Sequence, residues 1–170
     1  MRLALDRIDS PAGPITIVAH DGGLVAVDFG EPEDRLWAML ARRFGTVEAV
    51  ATPDPLGATT AMRTYLAGRL DALDALPVDP GGTAFQRDCW AMLRTIPAGT
   101  TWSYRQLAAA LGRPAAVRAV GLANGANPVG IVVPCHRVIG ANGSLTGYGG
   151  GIERKRWLLE HEGALLRIGA

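Results

Sequence analysis

The sequence predicts an α+β protein, with a small antiparallel sheet and its helices in the first half and a mainly helical second half containing a helix-turn-helix. Three observations carry this. The first 30 residues hold three apolar, strand-like runs divided by turn residues. The second half twice shows Ser or Thr followed three residues later by Gln, the capping sequence that opens a helix. Between the halves, Leu76-Pro77-Val78-Asp79-Pro80-Gly81-Gly82 is rich in Pro and Gly, and the charge balance changes sign across it. Two domains follow, residues 1–80 and 81–170.

The elements are read in order. Leu3 to Ile8, Ile15 to Ala19 and Leu24 to Phe29 are the strands, with turns at Pro11-Ala12-Gly13-Pro14 and Asp21-Gly22-Gly23. A helix is expected from about Pro32, with Leu36, Met39, Leu40 and Phe44 on one face and Gly45 as its stop. Thr59 to Leu70 reads as a second helix, with Met62, Leu66 and Leu70 inward. Thr83-Ala84-Phe85-Gln86 opens the next, on which Phe85, Cys89, Met92 and Leu93 share an apolar face. Ser103-Tyr104-Arg105-Gln106 opens a short helix ending near Leu111, Gly112-Arg113-Pro114 turns the chain, and Ala115 to Ala123 forms another helix. The final helix spans about Ile152 to Glu162 and ends at Gly163.

Composition narrows the function classes. Hydrophobic residues make up 48% of the 170, enough for a packed core and too many for a disordered chain. The N-terminus has no apolar signal region, and the run Val129 to Val133 is too short to span a membrane. Two cysteines cannot form a disulfide framework, so the chain reads as cytoplasmic with reduced thiols. No Cys-x-x-Cys, His-x-x-x-His or phosphate-binding Gly motif is present, so neither metal nor cofactor is expected. Residues 1–82 hold 7 Arg against 12 Asp and Glu, a balance of −5; residues 83–170 hold the remaining 10 bases and 4 acids, a balance of +6. The basic half reads either as a polyanion-binding surface or as an ordinary solvated one.

The helix Ala115-Ala116-Val117-Arg118-Ala119-Val120-Gly121-Leu122-Ala123 lacks the long polar side chains that read base edges in a major groove. Small residues with one arginine fit close approach to a minor groove; they equally fit a close-packed core helix.

Cys89 reads as a small core hydrophobe. Cys135 stands in Pro134-Cys135-His136-Arg137, where Pro134 interrupts a strand-like run, and a base and a cation adjoin the thiol. Both neighbours favour a nucleophilic thiolate. Side chains of adjacent strand residues point apart, so Cys135 and His136 cooperate only through a kink at Pro134 or a bridging water. Glu162 follows Leu158 and Leu159 on the inward side of the last helix. A buried carboxylate needs a partner; His136, giving a nucleophile–base–orienter series, and an arginine are both open. Gly147-Tyr148-Gly149-Gly150-Gly151 has the composition of a pocket wall or lid.

These residues together resemble the O6-alkylguanine-DNA alkyltransferases, over about Phe85 to Gly163. The anchors are Ser103-Tyr104, Ala116 to Gly121, Asn127-Pro128, Ile131 to Val138 with Pro134-Cys135-His136-Arg137 at its centre, Gly147-Tyr148 and Trp157-Leu158-Leu159-x-x-Glu162. The first 80 residues match only in pattern, as a ribonuclease-H-like variable domain. The resemblance implies single-turnover transfer of an alkyl group from O6-alkylguanine, and O4-alkylthymine, in duplex DNA to Cys135. By the same resemblance His136 deprotonates Cys135 through a water, Glu162 orients His136, and Asn127 shapes the turn between recognition helix and active site. Arg118, Ala119 and Gly121 would meet the minor groove, Arg118 filling the gap left by the flipped base. Tyr104 would press the neighbouring phosphate and assist guanine departure, and Val138, Tyr148 and Gly149 would line the guanine pocket. The partner implied is double-stranded DNA bearing the lesion, with no membrane, and a monomer in solution; clustering on DNA is left open. Two departures stand out: Val117 occupies a position where relatives often carry alanine, which would crowd the groove face, and the first domain lacks the Cys/His zinc set of some relatives.

Two other classes compete. A cysteine hydrolase would turn over esters or amides through Cys135, His136 and Glu162. A non-catalytic, lesion-binding or regulatory helix-turn-helix protein would keep its function without the thiol.

Overall fold

The computed structural model describes residues 1–165. The chain divides into two compact units, Met1–Gly81 and a second beginning at Gly82.

The first unit is a four-stranded sheet in the order β3-β2-β1-β4, formed by β1 (Arg2–Ile8), β2 (Ile15–His20), β3 (Gly23–Phe29) and β4 (Glu48–Ala51). β1, β2 and β3 pair antiparallel, as the turns between them require. The sheet as a whole is mixed, which corrects the expectation of an antiparallel one. β4 pairs parallel to β1, in register from Arg2 opposite Glu48 to Leu5 opposite Ala51. The parallel sense follows from α1 (Asp34–Phe44), which carries the chain between β3 and β4. β4 was invisible beforehand because Glu48-Ala49-Val50-Ala51 is a four-residue, largely exposed edge without alternation.

β2 is central and buried on both faces. Leu3 and Val18 face α1, where Leu40 is buried and Leu36, Trp37 and Phe44 pack beside it. The opposite parity faces α2 (Ala58–Leu66), tied by the Thr59 hydroxyl donating to Asp6 Oδ2 at 2.6 Å. α2 is shorter than the Thr59–Leu70 helix expected: Gly68, at φ 113°, takes the chain out of the helix, and Leu73 and Leu76 are buried from turns beyond it.

The second unit holds α3 (Ala84–Leu93), α4 (Tyr104–Ala110), α5 (Val117–Gly125) and α6 (Ile152–His161), with two-residue strands β5 (Trp102–Ser103) and β6 (Val138–Ile139) paired in parallel. Both capping boxes form. Thr83 and Ser103 each accept from the backbone N–H three residues on, and Gln86 and Gln106 return the bond to the cap N–H. The α4–α5 turn closes with Gly112 at φ 70° and Arg113 N–H donating to Ala108 O at 3.0 Å, a helix stop that glycine permits. α5 starts two residues later than the sequence pattern indicated. Trp90 Nε1 donates to Ala123 O at 2.8 Å and fixes α5 to α3 in the interior. The β5–β6 pairing sets Ser103 beside Ile139, so the start of α4 lies next to the chain that leaves Cys135.

The Ser103 cap therefore does two jobs at once, ending β5 and starting α4. Ser103→Ala should lower stability by about 1 kcal/mol, seen as a reduced denaturant midpoint at constant slope; an unchanged midpoint would show that the cap is redundant.

Candidate active site

Four segments meet in the second unit. The first is the turn before Cys135. The apolar run Gly130-Ile131-Val132-Val133 is not a strand, which corrects the strand-like reading. Ile131 sits at φ 68°, Val133 N–H donates to Val129 O at 2.9 Å, and Cys135 N–H donates to Val133 O at 2.8 Å. A non-glycine residue in the left-handed region is costly unless its surroundings hold it there. Asn127 supplies that hold: its Nδ2 donates to Val133 O at 2.8 Å and its Oδ1 accepts from Val129 N–H at 2.9 Å.

Cys135–Arg137 then form one 3-10 turn, entered from Pro134 at φ −82° and ψ 62°. The chain kinks at Pro134, one of the two routes by which Cys135 and His136 can cooperate. The turn is buried throughout: Cys135 is 7% exposed and His136 is fully enclosed. The local signal for a strand failed because β-branched residues also suit a tight buried turn when side chains from elsewhere cap it.

The second segment is the end of α6. Glu162 Oε1 lies 2.8 Å from His136 Nε2, while Arg137 donates Nε to Oε2 at 3.0 Å and Nη2 to Oε1 at 2.9 Å. Both partners considered for Glu162 are thus engaged together. Arg137 also donates Nη1 to Ile96 O at 2.6 Å. Burial alone would raise the Glu162 carboxyl, but His136 and Arg137 outweigh it and hold it well below the usual carboxylate range. Burial pushes His136 down, against the pull of Glu162, and Arg137 and Lys155 add to the decrease. His136 is therefore neutral. An ionised carboxylate only accepts, so the ring proton lies on Nε2 and Nδ1 is left as a lone pair. Nδ1 is buried and, among the described residues, has no hydrogen-bond partner. It is a base waiting for a proton.

The third segment was missed from sequence. Lys155, on α6, is fully buried; its Nζ donates to Val138 O at 2.6 Å and Thr146 O at 2.9 Å. Burial pushes its pKa from 10.5 to about 8, and attraction to Cys135 acts the other way. A signal was available: Lys155 is the only lysine in the chain, against 16 arginines. Asn124, also missed, is buried on α5 and donates Nδ2 to Cys135 O at 3.4 Å.

The fourth is the start of α4 with the loop before α6. Tyr104 Oη donates to Thr146 O at 3.4 Å, the same carbonyl that receives Lys155. Tyr148 is half-buried and Gly149 exposed, with open space where a side chain on Gly149 would stand. Val138 is buried, and its carbonyl is held by Lys155. Gly121 flanks the Tyr104 ring, where an added Cβ would sit 3.8 Å from Cδ1, an ordinary contact that does not demand glycine. Arg118 and Ala119 are exposed on α5. Val117 is half-buried at the start of α5. Cys89 is fully buried, and burial, reinforced by Asp88, raises its thiol pKa. The two thiols differ: burial and Asp88 disfavour the thiolate of Cys89, while Cys135 interacts with the ammonium of Lys155. Among the described residues no group of three or more His, Cys, Asp and Glu side chains could hold a metal ion.

The family model described as 6-O-methylguanine DNA methyltransferase, DNA binding domain, matches residues 84–164, and its ribonuclease-like domain matches residues 6–80. A methylated-DNA--protein-cysteine methyltransferase of Shigella flexneri is 49% identical across 98% of this chain and 99% of its own length. The chain belongs to the methylated-DNA–protein-cysteine methyltransferase family. A relative from Mycobacterium tuberculosis is 48% identical over 91% of this chain and 89% of its own. Among solved structures, Mycobacterium tuberculosis OGT in complex with DNA is 42% identical, with a TM-score of 0.76 over 96% of this chain and 94% of that one. An O6-methylguanine-DNA methyltransferase from Pyrococcus kodakaraensis is 26% identical at a TM-score of 0.66.

In this family member the ammonium facing Cys135 has a measurable consequence. Below pH about 8 Lys155 carries its proton and favours the thiolate; above it the charge is lost. Lys155→Met should slow Cys135 alkylation by iodoacetamide roughly tenfold at neutral pH, the equivalent of one unit in thiol pKa. The wild-type-to-variant rate ratio should fall towards one as pH rises through about 8. A ratio that stays flat across that window would remove the charge from the account.

Proposed function

We propose that the chain repairs alkylated DNA directly, by moving an alkyl group from O6-alkylguanine in duplex DNA onto Cys135. The observation that carries the reading is the buried series of Cys135, the lone pair on His136 Nδ1, and the ionised Glu162 that fixes the tautomer. The thiol proton passes to His136, by way of a water, and the thiolate sulfur attacks the alkyl carbon. The new carbon–sulfur bond forms as the carbon–O6 bond breaks, and the guanine leaves with a proton supplied through Tyr104. Atoms balance without a cofactor: one thiol and one alkylguanine become one thioether and one guanine.

A stacked base cannot reach a buried sulfur, so the guanine must be extruded, at a cost of a few kcal/mol. α5 suits that step: apart from Leu122, its solvent face carries only Ala and Gly around Arg118, which takes the place of the flipped base. Ala119 and Gly121 let the backbone approach, and Val138, Tyr148 and Gly149 border the guanine. Asn127 holds the turn that presents Cys135. O4-alkylthymine offers the same alkyl–oxygen bond and is a second substrate. The protein works as a monomer in the cytoplasm. Nothing near Cys135 can cleave a thioether, so each chain acts once; a hydrolase would need a group to release its acyl-enzyme.

Incubation with excess O6-methylguanine duplex should raise the intact mass by one methylene, about 14 Da for a single covalent step, located on Cys135 and absent from Cys89. Cys135→Ser should abolish transfer while lesion binding persists. Multiple turnovers, or label on Cys89, would overturn the mechanism, and full function in Cys135→Ser would favour the regulatory reading.

Arg118 separates extrusion from chemistry. Arg118→Ala should slow duplex repair far more than reaction with free O6-benzylguanine, which needs no flipping; equal losses would place Arg118 elsewhere in the cycle.

A further inference from the structure

Of the large apolar side chains left exposed in the described residues, Leu122 on α5 is the most open, at 73%. Its place on the helix is specific. Val120, Ala123 and Asn124 are buried and define the inner face. Arg118, Ala119, Leu122, Gly125 and Ala126 are exposed and define the outer one. At about 100° per residue, Leu122 falls near the middle of that outer face, with Arg118 one turn before it and about 40° to one side. Everything else on the face is Ala or Gly. Two side chains therefore project from a flat strip, one cationic and one branched aliphatic.

The surroundings say what meets the strip. From Asp88 to Glu153 the chain contains no carboxylate side chain between them, while Arg105, Arg113 and Arg118 lie exposed in that stretch. An apolar side chain beside a cation, on an exposed helix face in an acid-free, basic stretch, fits a polyanion whose inner walls are apolar. The minor groove of duplex DNA has this chemistry: phosphates at its rims and deoxyribose faces inside. Aliphatic side chains wedge open base steps there and bend the duplex.

We infer that Leu122 is a second wedge that enters the minor groove together with Arg118. The inference rests on the repair reading above. Residues four apart on a helix are separated by about 6 Å along its axis, which spans between one and two base steps of about 3.4 Å. Leu122 thus packs on the sugars beside the step that Arg118 occupies, and holds the groove open while the guanine is out. Alanine and glycine on either side let the helix settle deeply enough for both to reach.

The test uses the full chain and three substrates carrying the lesion: duplex DNA, a single-stranded oligonucleotide and free O6-benzylguanine. Leu122→Ala removes apolar contact worth about tenfold in affinity, at an exposed site where alanine is the better helix former. The single-turnover rate at limiting duplex should drop about that much, with far smaller losses on the single strand and free base, which have no groove to open. Leu122→Met should restore most of the duplex rate. Fluorescence of 2-aminopurine next to the lesion should show weaker unstacking in Leu122→Ala than in wild type. If wild type repairs duplex and Leu122→Ala is as fast or faster, the wedge falls and the repair reading stands. Equal losses on all three substrates would also overturn it, as would Leu122-dependent self-association without DNA. If wild type repairs none of the three substrates, the repair reading itself fails and takes the wedge with it.

Discussion

The second unit is organised around a buried negative charge. Removing Glu162 from water is costly, and the cost is offset only because three nitrogen atoms donate to its two oxygens. Those donors come from His136 and Arg137, adjacent in sequence, so the carboxylate dictates the conformation of the turn that carries Cys135. An extended chain would send the two side chains to opposite faces; the 3-10 turn at Cys135–Arg137 brings both to Glu162. The same demand reaches Ile96, whose carbonyl accepts from the third guanidinium nitrogen. A carboxylate that remains ionised also fixes which imidazole nitrogen is a base. Stability and chemistry are set here by one constraint.

Lys155 and Arg137 show why the two kinds of cation are placed differently. Arg137 meets a planar carboxylate through a fork of fixed geometry, the arrangement guanidinium favours. Lys155 reaches two carbonyls, one in β6 and one in the loop before α6, and keeps a compact charge near a sulfur. A guanidinium in its place would be permanently charged and too broad for one buried point between Val138 and Thr146. That the chain spends its only lysine here, and uses arginine everywhere else, fits a position where a small, titratable cation matters. The carbonyl of Thr146 joins this buried ammonium to Tyr104 at the mouth, so the loop that ends in Tyr148 is anchored from both sides.

What was legible in the sequence had local causes. The three N-terminal strands, both capping boxes and the glycine stops at 45, 112 and 163 depend on neighbours within a few residues. The pairing of His136 with Glu162 was legible as a possibility because a carboxylate on an apolar helix face must find a partner, and as an implication of the family resemblance. The parts that were hidden depend on contacts distant in sequence. β4 is a strand only because β1 offers it an edge. Residues 130–133 have strand composition, yet Asn127 and the buried turn override it. Lys155 looked like any base in Arg154-Lys155-Arg156, since nothing local says which of three consecutive cations points inward. The choice between a core helix and a groove helix for α5 was unresolved because both want small residues; in the structure Val120, Ala123 and Asn124 form a buried face and the opposite face is exposed.

That double character makes α5 the route between surface and sulfur. On its inner side Trp90 holds the Ala123 carbonyl and Asn124 donates to the carbonyl of Cys135 itself. On its outer side Arg118 and Leu122 stand clear of the protein. The helix is only nine residues long, so a group bound outside lies within about two turns of the residue whose backbone the helix touches. A rigid, closely packed element of this length cannot shift to meet a ligand without also moving the Asn124 contact. The arrangement therefore favours binding that leaves α5 where it is and deforms the partner instead. For a duplex bound as proposed, that would mean opening the groove and turning out a base, while the turn held by Asn127 and Glu162 keeps Cys135 in place.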